Sequence, residues 1–79
     1  MRVQFFSQLK EIVGASEITL DLPDGTSVAD LLTLLYRDFP ELEKWDHGLL
    51  VGAGLAFVAR DHVIHPNDEI AIMPPVQGG

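Results

Sequence analysis

The segment Met73-Pro74-Pro75-Val76-Gln77-Gly78-Gly79 closes the chain, and its residue types suggest the most specific chemistry in the sequence. Pro74 and Pro75 have no N–H to give to a strand ladder, so they should eject the chain from the sheet edge in an extended conformation. From Pro75 to Gly79 the backbone reaches roughly 15–18 Å when fully extended. Gly78 and Gly79 remove both Cβ atoms just before a terminal carboxylate, a shape suited to a narrow channel in a partner. The other groups that might do chemistry read as structural. His47, His62 and His65 have no cysteine and no carboxylate at ligand spacing, so no metal site is expected. Glu41, Glu43 and Asp46 read as a solvated face, and Tyr36 and Trp45 as packing at the core or its rim. Gly48, Gly52 and Gly54 lack the Lys-Ser/Thr pair and the following helix of a phosphate loop. With no cysteine, thiol catalysis and disulfides are excluded.

The elements that must position this tail are few. A length of 79 residues implies one domain, and 47% hydrophobic against 22% charged residues is a folding composition. The net charge of −7 argues against nucleic acid and anionic membrane surfaces and favours partners with basic patches. No signal peptide is visible. The least polar run, Leu49 to Ala59, is interrupted by glycine and too short to span a bilayer. The expected location is the cytoplasm.

Residues 2–6 alternate as a half-buried strand, with Val3 and Phe5 on one face. Ser7 to Val13 reads as one or two helical turns closed by Gly14. Glu17 to Leu22 alternates again, and Pro23-Asp24-Gly25 is a turn. Ser27 and Asp30 have the spacing of a capping box. Val28, Leu31, Leu32, Leu35 and Phe39 then form one apolar helical stripe, stopped by Pro40. Glu41 to Trp45 reads as a short turn, Leu55 to Ala59 as a buried strand, and Val63-Ile64 as a short extended piece. The turn at His65-Pro66-Asn67-Asp68 places Asn67 in the left-handed region. Glu69 to Met73 is the final strand, Ile70 and Ile72 facing in. The order predicts an α+β fold, a mixed sheet covered on one face by one main helix. Its boundaries are a body of residues 1–74 and a flexible tail of residues 75–79.

Taken together, Met1-Arg2-Val3-Gln4-Phe5-Phe6-Ser7 at one end and Asn67-Asp68-Glu69-Ile70-Ala71-Ile72-Met73-Pro74-Pro75-Val76-Gln77-Gly78-Gly79 at the other resemble the small subunits of molybdopterin synthase. These belong to the ubiquitin-like sulfur carriers. The resemblance spans nearly the whole chain, departing at Asn67, where glycine is usual, and at Ala59, where an asparagine is common. It implies the ubiquitin-like β-grasp. It also implies a carrier with no catalysis of its own and no bound cofactor. A ubiquitin-activating-like adenylyltransferase would consume ATP to adenylate Gly79. Sulfur from a sulfurtransferase would then replace AMP, leaving a C-terminal thiocarboxylate. Inside a two-plus-two heterotetramer the large catalytic subunit would receive Pro75, Val76, Gln77, Gly78 and Gly79, and the sulfur would pass to cyclic pyranopterin monophosphate. Phe6 and Met73, both on outward parity, are expected to dock on that subunit together with His62. Other roles share the same tail: a thiocarboxylate carrier for thiamine thiazole or another sulfur product, a protein modifier joined to lysine through Gly79, or a plain binding module.

Overall fold

The computed structural model describes residues 1–75. Polar and apolar residues alternate through strand β1 (Arg2–Phe5), which buries Val3 and Phe5. Helix α1 (Gln8–Val13) tucks Leu9 into the core and closes on Gly14, whose φ of 84° suits a residue without a Cβ. Strand β2 (Glu17–Thr19) returns antiparallel to β1. It is shorter than its alternation predicts. Beyond Thr19 the chain pairs instead with the N-terminus: Leu20 N donates to Met1 O at 2.8 Å and the Met1 ammonium to Leu20 O at 3.0 Å.

The long helix α2 (Val28–Asp38) begins where the capping box places it. Asp30 N donates to Ser27 Oγ at 3.1 Å, and Ser27 N to the Asp30 carboxylate at 3.5 Å, so two orphan donors of the first turn are satisfied. Val28, Leu31, Leu32 and Leu35 are buried along its stripe, with Phe39 packed beside them. Pro40 ends α2 but not the helical winding. Where a short turn is expected over 41–45, a 3-10 helix runs from Pro40 to Gly48 and buries Leu42.

Strands β3 (Leu50–Ala53), β4 (Ala56–Phe57) and β5 (Ile70–Met73) complete a five-stranded sheet of order β2-β1-β5-β3-β4. The β1–β5 pair is parallel and the rest are antiparallel. Val3, Phe5, Val51, Ile70 and Ile72 line the inner face and join the α2 stripe in one cluster. This is the expected α+β β-grasp, and among the described residues its core holds no buried polar side chain.

Three expectations are corrected. The buried strand is Leu50–Ala53, not Leu55–Ala59: Leu55 is fully exposed at a hairpin tip and Phe57 is 65% exposed. Asn67 is not left-handed, since Ser7 is the one non-glycine with positive φ among the described residues. Asp68 closes that turn instead, its carboxylate accepting from His65 N at 2.9 Å while its own N–H donates to His65 O at 2.9 Å. The prolines leave from the centre of the sheet, not from its edge, because β5 lies between β1 and β3.

Candidate functional site

The root of the tail is built by the two neighbours of β5. Phe6 N donates to Ile72 O at 3.2 Å, which brings Phe6 alongside the end of β5. On the other flank Met73 pairs with Leu50. Because Ile70 and Ile72 point into the core, Ala71 and Met73 face outward by strand alternation. Phe6, Leu50, Phe57, Met73, Pro74 and Pro75, together with Ser7, line a hollow of about 380 Å³. A second hollow of about 290 Å³ shares Phe57 and Met73 and runs on to Leu55 at the hairpin tip. Ser7 turns the chain away from β1 at φ 53°, a strained value for a residue with a Cβ.

The outer face of the sheet thus divides by chemistry. Toward β2, Arg2 lies 3.9 Å from both Glu17 and Glu69, in exposed pairs that water screens heavily. Toward β4, the lining is apolar. A contiguous exposed apolar patch is unusual on a monomer and marks a contact surface, whereas single exposed apolar residues do not.

Of the residues singled out from sequence, Phe6 and Met73 come together in this hollow. His62 is not among its lining residues. Its carbonyl accepts from Val28 N at 2.9 Å, at the start of α2, and its Nε2 lies 3.6 Å from the Asp68 carboxylate with no hydrogen bond. The Asp68 carboxyl is held below the usual carboxylate range, chiefly by the His65 N–H. Pro75 is half-buried, and Val76, Gln77, Gly78 and Gly79 lie outside the described residues. Leu50, Phe57 and Leu55 were not foreseen as surface. The glycines at 52 and 54 obscure the β3–β4 hairpin in sequence, although Gly54, which takes φ 64° between the two strands, is the available turn signal.

A second constellation also escaped the sequence. Asp46 Oδ1 accepts from Tyr36 Oη at 2.5 Å and from Arg60 Nη1 at 2.9 Å, while Arg60 Nη2 donates to Asp46 O at 2.7 Å. Burial, followed by the carboxylate hydrogen bond, raises the Tyr36 phenol above its ordinary value. The Tyr36 hydrogen bond, then Arg60, lowers the Asp46 carboxyl. The group ties α2, the 3-10 helix and the segment after β4 together, so its part is structural. Among the described residues no three His, Cys, Asp or Glu side chains converge as metal ligands, and no helix is long and apolar enough to cross a membrane.

A mixed sheet packed on one long helix, its central strand running into Pro-Pro-Val-Gln-Gly-Gly, has the architecture of the ubiquitin-like β-grasp proteins. The chain belongs to the ThiS family, which matches residues 3–79. It is 33% identical to the molybdopterin synthase sulfur carrier subunit of Dictyostelium discoideum, over 99% of this chain and 94% of that one. The subunit of the same name from Escherichia coli K12 is also 33% identical, over 100% and 99%. Small archaeal modifier protein 1 of Haloferax volcanii is 30% identical with both chains fully covered. The crystal structure of SAMP1 from that organism matches with a TM-score of 0.81 at 28% identity, covering 99% and 97% of the two chains.

Proposed function

We propose that this chain is a sulfur carrier for molybdenum cofactor biosynthesis, acting as the small subunit of a molybdopterin synthase. One observation carries the reading: two sulfur carrier subunits match it over nearly their whole lengths, and the family match runs through Gly79. The chain supplies a carboxylate and a surface, and its partners supply the catalysis. ATP, consumed by an activating enzyme, converts the Gly79 carboxylate to an acyl-adenylate with release of pyrophosphate. AMP is a good leaving group, so a sulfurtransferase persulfide displaces it to give an acyl disulfide, and two thiols reduce that S–S bond, becoming a disulfide and releasing the sulfurtransferase thiol and the thiocarboxylate. That anion is a far stronger nucleophile than a carboxylate. It donates its sulfur to cyclic pyranopterin monophosphate in the large subunit. The apolar hollow around Phe6 and Met73 is the docking face for that subunit.

The deciding measurement is intact mass after incubation with a molybdenum-cofactor activating enzyme, ATP and a sulfur donor. A sulfur-for-oxygen gain is expected, and fragmentation must locate it at Gly79, because oxidation of Met1 or Met73 has the same nominal mass. An unchanged terminus in a folded chain with a competent enzyme rejects the carrier role. The docking face is tested by Met73→Asp, which should abolish large-subunit binding in a pull-down while leaving the thermal midpoint within a few degrees. Undiminished binding rejects that face. A second reading, protein modifier, is favoured by the match to small archaeal modifier protein 1. It predicts a lysine conjugate of much larger mass in place of the thiocarboxylate.

A further inference from the structure

The β3–β5 ladder runs out to the Leu50–Met73 pair. Two residues farther along each strand stand Gly48 and Pro75. The ladder cannot continue there, since Pro74 and Pro75 offer no N–H. Packing takes its place. A Cβ built on Gly48 would stand 2.7 Å from Pro75 Cβ and 2.8 Å from Pro75 Cγ, far inside van der Waals contact. Backbone conformation does not demand this glycine. Gly54 needs its φ of 64°, whereas Gly48 is absent from the positive-φ glycines. Space therefore explains Gly48, and the group that fills the space is the first ring of the tail. A proline ring also fixes its own φ, so holding the ring holds the direction in which the chain leaves the sheet.

We propose that Gly48 is a positioning residue: it seats the Pro75 ring and so aims the tail away from the end of β5, beside the apolar hollow. The inference rests on the reading that Gly79 is delivered to partner active sites. A tail aimed before docking loses less conformational freedom on entering a narrow channel. Docking on the sheet face draws on Phe6, Leu50, Phe57 and Met73, which Gly48→Ala leaves in place, whereas Pro75→Gly also removes one residue of that lining. Losing the seat therefore lowers the fraction of docked complexes that are productive, a loss in kcat and not in KM.

The test uses the 79-residue chain as wild type, Gly48→Ala, Pro75→Gly and the double variant. Rates of thiocarboxylate formation are measured with the activating enzyme, ATP and a sulfur donor. Gly48→Ala is expected to lose about tenfold in kcat with KM held within about twofold, Pro75→Gly to lose at least as much in kcat, and the double variant to be no worse than Pro75→Gly. In the wild type, NMR should show a nuclear Overhauser contact between Gly48 Hα and the Pro75 ring that vanishes in Gly48→Ala. An unchanged kcat for Gly48→Ala, or losses that multiply in the double variant, overturns the seat. Absence of the wild-type contact overturns it without reference to catalysis. Should Gly48→Ala fail to fold, that contact together with a loss of kcat in Pro75→Gly decides the question. If the wild-type chain gains no sulfur at all, the carrier reading fails, and the NMR contact alone then decides whether Pro75 is seated.

Discussion

At Asp46 a single carboxylate oxygen takes hydrogen bonds from residues 10 and 14 positions away in the chain. No two of the three residues share an element, so no single helical or strand period links them. Glu41 and Glu43 are exposed, as a solvated face requires, while Asp46 is drawn into the group by the 3-10 helix. The consequence is measurable by titration. Asp46→Asn removes the charge that opposes phenolate formation, so Tyr36 should ionise closer to its ordinary value of 10.0, as followed by phenolate absorbance. An unmoved titration would assign the shift to burial alone. The linkage has opposite signs for the two groups. The Tyr36 contribution is complete below its ordinary value and lost as pH rises through the elevated one. The Asp46 contribution is present above its ordinary value of 3.8 and lost as pH falls through the depressed one.

Among the elements, α2 has the sharpest boundaries. Its capping box is a local device of i and i+3 residues, so Ser27→Ala should cost about 1 kcal/mol in chemical denaturation. No loss would mean that water replaces the cap without penalty. The same locality made α2 legible from sequence: cap, stripe and the stop at Pro40 all lie within one short stretch. Alternation revealed β1 and β5 for a similar reason, each having one wet and one buried face. Strand β3 is hard to place from sequence because Gly52 lies within it, where a residue without a side chain erases the outward beat of the pattern. The exposed Leu55 and Phe57 then passed for core, since apolar character in sequence does not say which side of a sheet a residue faces. For the same reason the docking face was only half legible. Phe6 and Met73 could be paired once β1 and β5 were taken as neighbours, but Leu50 and Phe57 needed the observed hairpin.

Over the whole molecule, acidic residues outnumber basic ones by 12 to 5, giving a net charge of −7. The apolar hollow at the end of β5 has no charged side chain in its lining. Charge therefore acts at a distance and apolar contact at close range. Association with the activating enzyme should slow as ionic strength rises, mainly through the on-rate, and stopped-flow traces across a salt series would show it. A flat salt dependence would remove steering from the account. The strand order has a separate consequence, for the timing of synthesis. β1 and β3 do not touch as partners; each pairs with β5, the last strand among the described residues. During translation the β1–β2 and β3–β4 hairpins are therefore two halves without a common sheet until Ile70 to Met73 has left the ribosome. A chain interrupted before that point lacks the strand that joins them, and with it Met73, Pro74 and Pro75 of the hollow. Strand order alone thus keeps an unfinished copy from presenting a complete face to a partner.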